Sequence, residues 1–120
     1  MIRVLLILLL FFAWAPAAQA HSWYGRTNCC SGDECAPVPL DSAWVTMEEH
    51  GYRIVLTAEQ AKLVNPYATQ AIDVFIPWGN TRIKSPPVLK VGETYGPNIY
   101  HLCIPAGYVG VHCLFVVPGI

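Results

Sequence analysis

The pattern of apolar and polar positions divides the chain near residue 20. Val4 to Trp14 is an unbroken apolar run of 11 residues, preceded by Arg3 and followed by the small residues Ala18-Gln19-Ala20. A membrane-spanning helix needs roughly 20 apolar residues. A basic start, a short apolar run and a small-residue cut site are typical of a secretory signal. The pattern predicts a signal peptide at 1–20, a mature chain at 21–120 and no stable membrane span after cleavage.

Beyond residue 20 the apolar residues fall in short segments separated by turn residues, which is typical of antiparallel strands. Two of these segments flank the polar Glu48-Glu49-His50-Gly51 turn and predict a hairpin. A second hairpin-length connection joins the last two segments. The predicted strands are 43–47, 52–56, 72–76, 100–104 and 111–117, with a brief edge segment at 81–83.

One helix is predicted between these strands. Thr57 and Gln60 have the spacing of a capping box, in which each side chain bonds the backbone N–H of the other residue. The helix should cover about 58–64 and end before Asn65-Pro66, because a residue that precedes proline disfavours helical backbone. Residues 21–39 are rich in Gly, Asn, Ser and Pro and are interpreted as irregular. The expected fold is α+β or mainly β, a small domain of short antiparallel strands with one helix.

Five cysteines in a chain with an export signal favour disulfides over zinc binding, because exported proteins meet an oxidising compartment. They are Cys29, Cys30, Cys35, Cys103 and Cys113. An odd number leaves at least one thiol unpaired. Choosing the unpaired cysteine and pairing the other four allows 15 connectivities. Neighbouring Cys29 and Cys30 should bond different partners; Cys30 and Cys35 could close a local loop, and Cys103 could face Cys113.

Net charge narrows the classes of partner. Without Arg3, the seven Lys and Arg become six against eight Asp and Glu, a net charge of about −2. This balance provides no basic surface for nucleic acid. The chain also lacks a serine-hydrolase elbow motif and a glycine-rich phosphate loop.

His21 is a candidate metal ligand if the signal is cut before it. An N-terminal histidine offers its α-amine and ring nitrogen to one ion, and a second imidazole would complete a nitrogen-rich site that suits copper(II). His101 and His112 are the candidate second ligands. The competing interpretation is that a histidine at this position has no ligand role.

Aromatic residues near turns and strand ends provide a third feature. They could stack on sugar rings of an envelope glycan, or they could fill the core of a small domain, where each ring buries a large area. The residues concerned are Trp23, Tyr24, Trp44, Trp78 and Tyr95.

The two ends of the chain resemble a group of small exported, cysteine-rich proteins predicted in proteobacteria. The similarity lies in His21-x-Trp23-Tyr24, in the segment from Cys29-Cys30 to Cys35, in Tyr100-His101-x-Cys103 and in Cys113-x-Phe115. Relatives more often carry Asp directly before the third cysteine, where this chain has Glu34. The resemblance implies a periplasmic location and no particular activity.

These features predict a periplasmic or secreted, disulfide-stapled domain that is a non-catalytic structural or interaction module. Its expected partner is an envelope protein or a glycan. The alternative is a copper-binding protein that uses His21 with His101 or His112.

Overall fold

A computed structural model describes residues 22–27, 29, 34–105 and 110–118. Within them lie a short 3-10 helix, Ser22–Arg26, one α-helix and seven strands in two sheets. The predicted signal peptide, 1–20, falls outside this part of the chain, as does His21. No helix in the described part is long and apolar enough to cross a membrane.

The first sheet has four strands and brings the two ends of the domain together. Its strands are β1 (Cys35–Pro37), β5 (Ile83–Lys84), β6 (Tyr100–Cys103) and β7 (Cys113–Val116), in the order β1-β6-β7-β5. The pairs β1–β6 and β6–β7 are antiparallel, while β5 runs parallel to β7. Pro37 is tolerated in β1 because this strand lies at the sheet edge.

The second sheet is the predicted hairpin extended by one strand. It contains β2 (Val45–Glu48), β3 (Gly51–Leu56) and β4 (Ile72–Pro77), all antiparallel and in chain order. Gly51 is opposite Pro77, and a Cβ atom on Gly51 would lie only 2.1 Å from the Ile76 carbonyl oxygen. Because the clash would be with backbone, glycine is required for this close approach of β3 and β4.

Helix α1 (Ala58–Val64) begins and ends where the sequence predicts. Both capping-box hydrogen bonds form: the Gln60 amide donates to Thr57 Oγ1 at 3.1 Å, and the Thr57 amide donates to Gln60 Oε1 at 2.9 Å. The helix buries Ala61 and Val64. After it, the buried Asn65 side chain donates to the carbonyl of Ile104 at 2.8 Å, which ties the helix end to the strand β6 segment.

Alternation along the four-stranded sheet separates two buried clusters, because successive side chains point to opposite faces. One face contributes Leu102 and Leu114 to the main core, which also contains the inner faces of β3, β4 and helix α1. The other face forms a smaller cluster that we call the aromatic–disulfide cluster. Its members are Trp23, Tyr24, Cys29, Cys35, Cys103, Cys113 and Phe115.

Two disulfides involve this sheet: Cys29–Cys113 connects the N-terminal segment to β7, and Cys35–Cys103 connects β1 to β6. Cys29 bonds Cys113 and not the adjacent Cys30, as expected. The local Cys30–Cys35 loop is wrong, because Cys35 bonds Cys103 across the β1–β6 pair, where the two residues are directly opposite. Cys103 also faces Cys113 in register, but each sulfur bonds an N-terminal partner. Cys30 lies outside the described residues.

The predicted fold class is confirmed: a small domain of mostly antiparallel strands with one α-helix and two disulfides. Residues 21–39 are less irregular than expected, since they include the 3-10 helix and β1. The brief edge strand predicted at 81–83 is present but begins two residues later, as Ile83–Lys84, and Thr81 and Arg82 lie in the turn before it.

Candidate functional site

The buried imidazole of His101 lies at the centre of the aromatic–disulfide cluster. Its side chain has no exposed surface, although histidine is usually at least partly exposed. The Trp23 ring meets it edge-on at 5.0 Å between centroids, and the Tyr24 ring lies at 5.6 Å. Tyr24 Oη and His101 Nδ1 are 2.5 Å apart and hydrogen-bonded.

Burial raises the pKa of the Tyr24 phenol well above its usual range, because the charged phenolate would lose its hydration. The phenol therefore stays protonated at neutral pH. A hydrogen bond to one ring nitrogen fixes the orientation of an imidazole and directs its chemistry to the other nitrogen, as carboxylates and carbonyls do for metal-bound histidines. The phenol oxygen of Tyr24 can accept from Nδ1–H of His101; in that tautomer the lone pair of the ring lies on Nε2, which is then the nitrogen that a metal would use.

The 3-10 helix that carries Trp23 and Tyr24 is anchored at its C-terminal end by two kinds of contact. Just after it, Cys29 is bonded to Cys113 of β7. At its end, the Arg26 guanidinium pairs with Glu93 and donates to the Val88 carbonyl at 3.3 Å. Covalent and ionic contacts therefore hold the start of the described chain over His101.

The two candidate metal ligands that the structure describes occupy different environments. His101 is buried, whereas His112 is exposed and precedes β7. His101 is opposite Phe115, so His112 lies three residues away along the partner strand, or roughly 10 Å. His21 is outside the described residues, but it lies only two residues before Trp23 in the sequence. Within the part of the chain that the structure describes, no group of three or more His, Cys, Asp or Glu side chains could hold a metal ion.

A second candidate feature is the exposed indole of Trp78, at the end of β4. Its Nε1 donates to the Glu49 carbonyl at 2.9 Å, and its backbone amide donates to the His50 carbonyl at 3.0 Å. Its ring packs edge-on against Tyr52 at 4.9 Å. The side chain remains 46% exposed. The Trp78 indole is thus an exposed aromatic surface that is held in a fixed orientation against the β2–β3 turn.

The structure assigns the predicted aromatic residues to two roles. Trp23, Tyr24 and Trp44 are buried, which confirms the core interpretation for them. Tyr95 is partly buried against Trp23, and its hydroxyl donates to the Pro87 carbonyl at 2.5 Å. Trp78 alone among these five residues is classed as exposed.

Two features of the surface and core were not predicted from the sequence. The Tyr24–His101 hydrogen bond joins residues 77 positions apart, and no local pattern links them. Arg82 and Lys84 line a cleft at β5. Their spacing of two residues beside a predicted edge strand was a signal that both side chains share one face.

Comparison with known proteins found no matching family model, no matching curated protein and no matching solved structure. The assignment of function therefore depends on the geometry of the chain.

Proposed function

We propose that this chain is an exported protein whose mature domain, 21–120, is a non-catalytic binding module of the cell envelope, periplasmic or secreted. The two disulfides support export, because such bonds persist in oxidising compartments. In this proposal Trp78 binds a sugar ring of an envelope glycan. The observation that carries it is the exposed, oriented indole on the β2–β3 turn.

A sugar ring is the partner whose chemistry suits this surface. One face of a pyranose presents C–H groups, which pack on an aromatic ring, while its hydroxyls need hydrogen-bond acceptors. Glu49 and His50 supply polar side chains next to Trp78 and are 89% and 81% exposed. Because the indole is already held by Glu49 and Tyr52, binding would cost little side-chain entropy.

Replacing Trp78 with alanine should abolish binding to peptidoglycan, because the stacking surface is removed. Trp78→Phe should retain part of the affinity, since a smaller aromatic face remains. Co-sedimentation with purified peptidoglycan and titration with soluble glycan fragments measure the effect.

Tyr67→Ala is the matched control, because Tyr67 is also an exposed aromatic, at 76%, and follows helix α1, away from the β2–β3 turn. It should leave binding unchanged. Equal binding by the Trp78→Ala variant and the unaltered protein would rule out this site.

Copper binding is the second candidate function, and the environment of His101 favours it. The Tyr24 hydrogen bond holds the His101 ring so that Nε2 would be the ligand atom, and Trp23 packs on the same ring. Trp23 Nε1 is buried and has no hydrogen-bond partner in the described part of the chain, so it offers a donor to water or to an ion-bound ligand. The His21 amine and ring would complete the copper site after signal cleavage.

Replacing His21 with alanine should weaken copper(II) binding by several orders of magnitude, because the N-terminal amine then has no ring nitrogen with which to chelate the ion. Isothermal titration and electron paramagnetic resonance of the processed protein measure the change. Mass spectrometry first establishes that the processed chain starts at His21.

His112→Gln is the matched control for the copper test, since His112 is exposed and lies away from His101. It should leave binding intact. Tight copper binding that survives His21→Ala would exclude this function and leave the glycan-binding proposal unaffected.

A further inference from the structure

A cleft of about 760 Å³ opens beside β5. Neither Trp78 nor His101 is among its described lining residues. Thr81, Arg82 and Lys84 line it from the β5 side, and His112 and Cys113 line it from β7. A volume in this range is typical of sites for small organic ligands. The described lining residues combine two cations, a hydroxyl and an imidazole, and none of them is a carboxylate.

The two cations in this cleft differ from Arg26 and Arg53 in their ion pairing. Arg26 pairs with Glu93, and Arg53 pairs with both Glu48 and Asp73. Within the described residues, neither Arg82 nor Lys84 has a carboxylate within ion-pair distance. In a chain of net negative charge, two cations left together in a concave site concentrate positive potential there.

The fold holds both cations on one face of the sheet. The Leu114 amide donates to the Arg82 carbonyl at 2.7 Å, so Arg82 continues the pairing of β5 with β7. Lys84 lies two residues further, on the same face and about 7 Å away. Asn80 Oδ1 accepts from Arg82 Nε at 3.2 Å and from its amide at 2.9 Å. This contact orients the guanidinium and leaves its two terminal nitrogens for a ligand.

We propose that this cleft binds the phosphate group of a small ligand or of a lipid headgroup. A guanidinium beside an ammonium matches phosphate, since arginine donates two parallel hydrogen bonds to its oxygens and lysine adds a compact charge. The Thr81 hydroxyl and the His112 ring can donate to the remaining oxygens. The volume exceeds that of phosphate alone, so the organic part of the ligand also fits. This site is independent of the proposed glycan and copper sites.

The test is a titration of the isotope-labelled, processed protein with inorganic phosphate, followed by amide chemical shifts. Saturable shifts are expected at the amides of Ile83, Lys84, Cys113 and Leu114. Lys84→Gln and Arg82→Gln should each weaken binding roughly tenfold, because each removes a charge-assisted hydrogen bond. Binding should also weaken as sodium chloride is raised.

Lys62→Gln is the matched control, because Lys62 is an exposed lysine on helix α1. Lys84 is itself exposed, so its substitution should leave the fold intact. Thermal unfolding of each variant verifies this. Equal phosphate affinity in the Lys84→Gln and Lys62→Gln variants, or shifts spread over the whole surface, would overturn the proposal.

A second arm identifies the source of the phosphate. Vesicles of phosphatidylglycerol and of phosphatidylcholine are compared by co-sedimentation. Binding to phosphatidylglycerol vesicles that Lys84→Gln abolishes and free phosphate displaces would identify a lipid headgroup. Phosphate binding without vesicle binding would identify a soluble ligand. The absence of both would overturn the proposal, whereas Trp78→Ala should change neither.

Discussion

Removal of the Cys35–Cys103 disulfide by replacing both residues with alanine should lower the free energy of unfolding by about 4 kcal/mol. The bond closes a loop of 68 residues, and loop closure of this length restricts the unfolded chain by about that amount in the chain-entropy model. Native disulfides of small exported domains typically contribute about 2–5 kcal/mol. Because a domain of this size has a total stability of roughly 5–15 kcal/mol, the loss would be a large fraction of it.

Urea unfolding followed by circular dichroism measures this effect. The comparison is made in a Cys30→Ser background, which removes the fifth thiol and so prevents exchange with the remaining disulfide. Reduction of the unaltered protein should destabilise it further, because it opens both bonds. A double-alanine variant that unfolds at the same urea concentration as its background would show that β1 and β6 are held together without the disulfide.

The Cys29–Cys113 bond closes a longer loop of 84 residues, so its entropic contribution is similar. Its local role is different, because it anchors the chain just after the 3-10 helix. Trp23 and Tyr24, which cover His101, belong to that helix. The two disulfides therefore stabilise different structures: one joins neighbouring strands, and the other holds the N-terminal segment on the sheet.

Local patterns predicted the elements whose determinants are local. The capping box of Thr57 and Gln60 predicted the helix, and both of its hydrogen bonds are present. The hairpin of β2 and β3 followed from two strand-like segments around a polar turn. In each case the residues that specify the element lie within a few positions of one another, so a single sequence carries enough information.

Long-range pairings could not be predicted in the same way. Fifteen connectivities were open for the cysteines, and the observed pairs depend on β1 lying beside β6. That strand has three residues and includes Pro37, so its local signal is weak. The contact between Tyr24 and His101 likewise requires the whole sheet to form. Residues from the two ends of the chain come into contact in the aromatic–disulfide cluster only when the chain has folded.

Substitution of Trp23 by alanine should cost about 3–5 kcal/mol of stability, the range measured for large aromatic residues removed from cores. Its side chain has no exposed surface and contacts four rings edge-on, those of Tyr24, Tyr95, His101 and Phe115. Thermal and urea unfolding measure the loss. Trp23→Phe should cost much less, because it keeps an aromatic ring and removes an indole N–H that has no partner in the described part of the chain.

The same substitution at Trp78 separates packing from binding. Trp78→Ala removes a half-exposed ring, one edge-on contact and one hydrogen bond, so it should cost only about 1 kcal/mol while abolishing glycan binding. Trp23→Ala should show the reverse: a large loss of stability, and glycan binding retained in whatever fraction of the protein remains folded. If Trp23→Ala left stability within about 1 kcal/mol of the unaltered protein, the aromatic–disulfide cluster would not be a core.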